Sequence, residues 1–563
     1  MIRGALKTFT TIAMGLLLIG AVANAQEHGP INGPVEREIT GGGSHSYTLV
    51  LEAGDYLAGS IDQQGVAVYA AVFLPAGTRM RGLPGPRDGK RDFAFIAETA
   101  GAYRLELRGP TEAEAAQSGT ASDAKGQYTL TVDKPMSLED RLKPWAPAAR
   151  HVSPVIEAFR TQLARGQNST DAFWQQRAHA GTPIIEPVEN DPHRTLVTFL
   201  WRGTPDTRNV VVVGSFGNRP IADSTMARLD GSDVWYLTIR VPSDARFVYS
   251  LSPNDPLTTE SPRAVQRTAS LQSDPLNPLR WRCAATASRY ECSSLVELPG
   301  APPQPWIVRN TANPAGKVDK HRIKSALLKN ERNISVYTPP NYRAGGGPYS
   351  LLVVFDEGAY LDLVPTPVIL DNLIAASKIP STIAVLIANP SQEARSRELP
   401  PNPAFADFLA HELLPWVRAR YPVTTDPQQT VVAGSSFGGI AATYAGLRYP
   451  EIFGNVLCQS GSFWWAPDHT GGPNADATTE TGWLAKEYLK SPKLPLRFWM
   501  DAGVFEVDTN GSGGSILEPS RHMRDVLLAK GYDVHYRQFS SGHDYLNWRG
   551  TLADGLLALI GKN

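Results

Sequence analysis

The chain has 563 residues, enough for more than one hydrophobic core, because single domains usually hold about 100–200 residues. Its 54 Lys+Arg against 55 Asp+Glu leave a formal charge of −1, which excludes long-range attraction for nucleic acid or an anionic membrane as an organising property. The 12 Trp and 45 Pro suit a loop-rich, β-containing protein and argue against a helical bundle.

Residues 1–25 read as an export signal. Arg3 and Lys7 give a positive start, Ile12 to Val22 is an uncharged apolar core, and Ala23-Asn24-Ala25 is a small-x-small cleavage site ahead of Gln26. That core is too short to span a bilayer and no later stretch is long and apolar enough, so the expectation is a soluble exported protein, periplasmic or secreted.

From 26 to 135 the sequence alternates in short β-type runs, among them Tyr47–Leu51, Val66–Tyr69, Tyr103–Leu107 and Tyr128–Val132, separated by glycine turns. This pattern predicts a small antiparallel sandwich. Leu51–Leu57 and Ala97–Tyr103 resemble the jelly-roll module appended to secreted bacterial peptidases (the pre-peptidase C-terminal type), and the charged residues here are assigned to solvated faces.

Residues 136–181 change character. Ser137–Leu142 and Val155–Arg160 have helical spacing broken by Pro144, Pro147 and Pro154, which predicts a connector of short helices. A second β region follows over 182–298, with its clearest strands at Thr195–Trp201, Asn209–Val213 and Val234–Ile239. Cys283 and Cys292 are close enough in sequence to close a small loop, so in an oxidising compartment they are expected to form a disulfide. Cys458, inside the apolar run Val456-Leu457-Cys458, is expected to be a buried thiol.

From 299 to 563 strands alternate with helices, the pattern of a parallel sheet with crossovers. Leu351–Phe355, Thr382–Ile387, Thr430–Ala433, Asn455–Leu457 and Leu496–Met500 read as buried strands, and Phe405–Arg420 and Pro519–Lys530 as helices, the latter stopped by Gly531. The fold class is therefore α/β, an α/β-hydrolase catalytic domain preceded by two all-β sandwich domains.

Gly434-Ser435-Ser436-Phe437-Gly438 has the G-x-S-x-G spacing of a nucleophile elbow, with a β-branched run before it and a small-residue helical pattern after it. Ser436 is the candidate nucleophile. In this fold the histidine arrives last, after the final strand. Val534–Phe539 is the last strand-like run, and His543 in the loop beyond it is the candidate base, whereas His535 lies within the run. The acid should follow Leu496–Met500. Asp501, Glu506 and Asp508 are candidates; Glu506, past the Gly503 turn, is favoured over Asp508. The oxyanion needs two backbone donors, for which the amides of Phe437 and Gly358 are named. With no phosphate loop, zinc spacing or dinucleotide fingerprint, no metal and no cofactor is implied.

Several motifs in order carry a family resemblance. Gly434–Gly439, Arg448–Gly454, Ser460–Trp465 and Gly542–Gly550 are similar to segments of the enterochelin (ferric enterobactin) esterase family, α/β-hydrolases of the esterase D-like group. The similarity extends upstream through Leu298–Trp306 and into Phe173–Gln176, Gly181–Pro183, Thr198–Arg202 and Asp233–Tyr236, about residues 170–563. It makes 182–298 an immunoglobulin-like sandwich of the enterochelin esterase N-terminal type. It implies cleavage of a cyclic triserine catecholate siderophore, with Ser436 as nucleophile, His543 as base, Glu506 as acid and Arg397 near the substrate. Trp464 and Trp465 would supply an aromatic wall for such a ligand; Arg332 is expected to be structural. The expected partner is thus a small-molecule ester, with neither nucleic acid nor a membrane span involved. The long cytoplasmic members lack the export signal and the first sandwich. A carbohydrate-linked ester (feruloyl or acetyl) and a non-catalytic surface-binding role are the competing readings.

Overall fold

The computed structural model describes residues 26–28, 31, 33–83, 89–112, 114–115, 124–138, 151–217, 219–257, 264–284, 286–467, 482–507 and 515–562. The expected export signal, the helix at 137–142 beyond Leu138, and Asp508 lie outside them. The chain divides into two compact units, Met1–Ser137 and Leu138–Asn563.

The first unit holds a five-stranded and a four-stranded sheet. Strict alternation is realised in Gly101–Arg108, where Tyr103, Leu105 and Leu107 are buried while Arg104, Glu106 and Arg108 are partly exposed. Tyr47 and Tyr128 share a buried hydroxyl–hydroxyl bond of 2.6 Å. The run Val66–Tyr69 departs from its expectation: the strand begins only at Tyr69. Val66 and Val68 are buried in a loop instead, and the Val68 amide donates to Gln63 Oε1 at 3.0 Å. A side-chain acceptor here replaces the ladder partner that β-branched residues would ordinarily have sought.

In the second unit, helices Pro154–Ala164 and Thr170–Ala180 begin at the N-caps Ser153 and Ser169. Ile156, Phe159, Phe173 and Trp174 form one core with Leu200, Val234 and Tyr236 of the following β region, so the helices cover a sheet face that would otherwise be wet. That region has two four-stranded antiparallel sheets. Val197, Phe199, Trp235 and Ile239 of one share a core with Val210, Val212, Phe247 and Leu251 of the other. Cys283 and Cys292 are disulfide-bonded with their Cα atoms 5.0 Å apart, and Cys458 is a buried free thiol.

The rest of this unit is built on an eight-stranded sheet. Its strands are β1 (Lys317–Ser325), β2 (Asn330–Thr338), β3 (Ser350–Phe355), β4 (Thr382–Ile387), β5 (Thr430–Ser435), β6 (Asn455–Gln459), β7 (Arg497–Gly503) and β8 (Asp533–Phe539). The spatial order is β1-β2-β4-β3-β5-β6-β7-β8, with β1 and β2 antiparallel to their neighbours and the others parallel. β3, β4, β5 and β6 are buried along their whole length, because helices cover both faces. Val353, Val385, Val432 and Val456 meet Ile440 and Ala441 of helix Phe437–Arg448 on one side. Leu352, Leu386, Val431 and Leu457 meet Leu552 and Leu556 of helix Tyr545–Ile560 on the other. Each such side chain contributes roughly 1.5–3 kcal/mol by leaving water.

Two helices differ in detail from expectation. Phe405–Arg420 is realised as Pro403–Phe408, a π turn at Leu409–Leu413, and Leu414–Arg418. Pro415 has no N–H to give the preceding turn, and the wider turn accommodates that gap. The last long surface helix starts at Leu517, two residues before Pro519, which is tolerated in a first turn, and Gly531 ends it with φ +77°. Among the described residues no helix is long and apolar enough to cross a membrane.

Candidate active site

β5 ends at Ser435, and the next residue reverses the chain. Ser436 has φ 58° and ψ −121°, a conformation costing a non-glycine residue about 1–3 kcal/mol. It persists because its surroundings fix it. Its amide donates to Gln459 O at 3.0 Å, and its carbonyl accepts from Gly439 N (3.0 Å), Ile440 N (3.2 Å) and Ser462 N (3.1 Å). Steric need falls on Gly434, where a Cβ would lie 2.6 Å from the Gly438 carbonyl, and on Gly439, where it would lie 2.9 Å from Cys458 Sγ. A Cβ on Gly438 itself would meet only ordinary contacts, so that glycine matters by the closeness of its backbone.

Ser436 opens into a cleft of about 620 Å³ that Phe437, Ser462, Trp464, Glu506 and His543 also line. Its Oγ lies 3.4 Å from Ser462 Oγ. Phe437 is the first residue of its helix, and its amide is therefore one of the four without an intrahelical acceptor. His543 sits in the loop after β8, its ring edge-on to Trp548 at 4.9 Å. Glu506 follows β7 through a turn closed by Glu506 N donating to Gly503 O at 3.1 Å. Its side chain is buried, and Oε1 lies 3.3 Å from His543 Nδ1. Alignment is too poor for that contact to count as a hydrogen bond, so the carboxylate faces the ring as a charge. Asp501 takes a different place, inside β7 and away from the cleft, where its carboxyl accepts from Trp499 Nε1 at 3.1 Å. Burial pushes its pKa up to about 7.

Three sequence expectations need correction. Gly358 does not border the cleft; it lies inside the short helix Glu357–Asp362, because Asp356, with φ 59°, already makes the turn after β3. Arg397 is exposed and, among the described residues, its side chain reaches only Glu393 and Glu398 at 3.5 Å. Arg395 lines the cleft instead. Both belong to helix Gln392–Glu398, and two residues are about 200° of helical rotation, so only one can face inward. Arg395 is held by Asp356 through bonds of 2.7 and 2.8 Å and lies 5.8 Å from the Phe437 ring. Trp465 turns from the cleft and packs edge-on against Trp483 at 5.7 Å. Arg332 is structural as expected, paired with Glu398 at 2.6 Å in the interior.

The opposite wall is what sequence reasoning missed. Gly214, Ser215, Phe216, Gly217, Arg219 and Arg267 of the second β region all border the cleft. The signal was a glycine-flanked turn, Gly214-Ser215-Phe216-Gly217, at the end of a valine run. Arg267 is held by Asp255 at 2.8 and 3.1 Å. Three arginines therefore border the cleft, and two of them, Arg267 and Arg395, are already paired with the carboxylates of Asp255 and Asp356.

Comparison with known proteins agrees with this architecture. A family model described as "Enterochelin esterase, N-terminal" matches residues 196–307, and one described as "Putative esterase" matches 325–559. An iron(III) enterobactin esterase of Dickeya dadantii (strain 3937) is 32% identical over 434 residues, covering 71% of this chain and 95% of that protein. An iron(III) salmochelin esterase of Escherichia coli O6:H1 is 29% identical and covers 72% of this chain and 98% of that protein. Among solved structures, the ferric enterobactin esterase of Salmonella typhimurium aligns with a TM-score of 0.56 at 30% identity, covering 69% of this chain and 98% of that one. The Shigella flexneri enterobactin esterase, crystallised in the presence of enterobactin, aligns with a TM-score of 0.53 at 29% identity, over 69% and 97% of the two chains. With both models in sequence and a relative matched along nearly its full length, the chain belongs to the enterochelin esterase family and is an ester hydrolase of α/β-hydrolase fold.

Proposed function

We propose that this protein is an exported serine esterase that hydrolyses the ester bonds of a catecholate siderophore trilactone through an acyl-enzyme on Ser436. The observation that carries the reading is the convergence of Ser436, Glu506 and His543, from the loops after β5, β7 and β8, on one cleft. In the first step His543 takes the Ser436 proton as Oγ attacks the ester carbonyl. Glu506 balances the imidazolium without accepting the proton, and the Phe437 amide donates to the oxyanion. The imidazolium then protonates the departing seryl oxygen, and a water activated by the same ring releases the acid from Ser436.

Arg219, Arg267 and Arg395, with the faces of Phe437 and Trp464, support an anionic, catechol-rich ligand. The relatives named for iron(III) enterobactin and salmochelin support the same class. In this reading residues 26–135 are an added sandwich domain, 136–181 a helical connector, 182–298 an immunoglobulin-like sandwich and 299–563 the catalytic domain. The charge, apolar core and small-residue site of residues 1–25 support export.

The test is product analysis after incubating the wild type and Ser436→Ala with the iron-free and the iron-loaded trilactone. Linearised and shortened products should form with the wild type and fall about 10⁴-fold or more in the variant. Aryl-ester hydrolysis without turnover of either trilactone form would remove the siderophore assignment. Preferential cleavage of a feruloylated or acetylated sugar would replace it, and absence of any ester hydrolysis would leave a binding protein.

A further inference from the structure

We infer that Ser215, a residue of the second β region, is a positioning residue for His543, so that the reactivity of Ser436 depends on that region. The inference rests on the esterase reading above.

Ser215 brackets His543 from both sides. On the preceding side, Gly542 packs so closely on the Ser215 carbonyl that a Cβ there would lie 1.9 Å from its oxygen. On the following side, Ser215 Oγ donates to Asp544 Oδ2 at 2.9 Å. The other Asp544 oxygen accepts from Leu546 N and so caps helix Tyr545–Ile560. One carboxylate therefore ties the His543 loop at once to its own helix and to a separate sheet. Ser215 is itself fixed: its amide donates to Val248 O at 2.9 Å, and its Oγ accepts from Val248 N at 3.1 Å. A second tie lies nearby, where Arg246 N donates to Ser540 O at 2.9 Å.

Among the described residues, no hydrogen bond holds the ring itself. Its contact with Glu506 is 3.3 Å and poorly aligned, and its contact with Trp548 is an edge-on ring contact without a hydrogen bond. The side chain is 39% exposed, so packing does not immobilise it. The direction of the imidazole is therefore set mainly by the backbone of Gly542 and Asp544, and Ser215 holds that backbone. Its hydroxyl is suited to the task because it both donates to a carboxylate and accepts from an amide, which alanine cannot do.

The experiment measures the rate at which a fluorophosphonate labels Ser436, together with kcat and KM for a small aryl ester, in the wild type, Ser215→Ala and Ser215→Thr. The probe and the small ester report on the nucleophile itself, and thermal melts verify that each variant is folded. Ser215→Ala should label roughly 10- to 100-fold more slowly, with a matching fall in kcat and an unchanged KM, as expected when a reacting group is misplaced. Ser215→Thr, which keeps the hydroxyl, should recover most of the rate. Folded Ser215→Ala that labels at the wild-type rate overturns this inference and leaves the esterase reading intact. A loss that Ser215→Thr fails to recover, or that appears in KM alone, also overturns it. A wild type that takes no label at Ser436 overturns the esterase reading and this inference with it.

Discussion

Replacing Glu506 by Gln removes one charge while keeping the side chain's shape, and its effect can be worked from the structure. The carboxylate oxygen lies 3.3 Å from His543 Nδ1, and the imidazole becomes a cation as Ser436 attacks. At an effective dielectric of about 20 the attraction at that distance is 332/(20 × 3.3), about 5 kcal/mol. The Glu506 side chain is 1% exposed but the His543 side chain is 39% exposed, so solvent screens part of this. Doubling the dielectric halves the figure to about 2.5 kcal/mol. The charge therefore accounts for roughly 70- to 5,000-fold in rate. The assay is kcat for a small aryl ester in the wild type and Glu506→Gln, with thermal melts in parallel. The main chain around residue 506 should tolerate the change, since its carbonyl accepts from Ile516 N at 2.9 Å and Leu517 N at 3.2 Å whatever the side chain carries. A folded variant within about five-fold of wild-type kcat would refute the electrostatic role of Glu506.

Asp501 gives a prediction about pH. Burial raises its pKa to about 7, so the folded state holds a proton that the unfolded chain has released between about pH 4 and 7. Its contribution to stability therefore declines as pH rises through that window, by up to about 4 kcal/mol. Urea melts should find Asp501→Asn equal to the wild type near pH 4 and more stable near pH 8; equality at both would refute the reasoning. Arg395→Ala should raise KM for the anionic trilactone roughly 10- to 100-fold with little change for a neutral aryl ester, because a charged hydrogen bond is worth about 1.5–3 kcal/mol. Arg397→Ala, on the exposed side of the same helix, should leave both KM values near wild type. Arg332→Ala removes the buried cation paired with Glu398, leaving it only Asn330 and the exposed Arg397, and should destabilise the fold by about 3 kcal/mol in the same melts. Opening the Cys283–Cys292 loop, which spans nine positions, should cost at most about 3 kcal/mol, read as a lower melting temperature under reductant.

What the sequence revealed was local. The elbow could be read because glycine spacing on either side of a serine answers a steric demand met within five residues, and Ser436 has the positive φ that the demand implies. The eight-stranded sheet could be read because strands buried on both faces must be apolar throughout. Counting strands leads to His543 and to three candidate acids, among which the Gly503 turn favours Glu506. Arg395 and Arg397 show where this stops. Both have the right chemistry, and choosing between them needs the rotation of a helix against the sheet. Gly358 failed for a related reason: a glycine after a strand suggests a turn, yet Asp356 adopts the left-handed conformation and the glycine is absorbed into a helix. At Val66–Val68 strand propensity lost to burial in a loop.

The second β region illustrates the non-local limit, and it changes how the molecule should be understood. Phe505, one residue before Glu506, packs its ring on Phe247 at 6.1 Å and joins the hydrophobic core of that region. Gly542, one residue before His543, packs on Ser215. Each candidate residue that must be held against Ser436 thus has a neighbour in sequence anchored to a different sheet. Trp464 and Val507 pack on Ala502, Ile516 and Leu517 beneath the same cleft, which links the aromatic wall to the Glu506 loop. A region that only captured ligand would have no reason to make these contacts, since substrate could be held by Phe216, Arg219 and Arg267 without them. Substitutions at this interface should therefore alter turnover even where they touch no substrate.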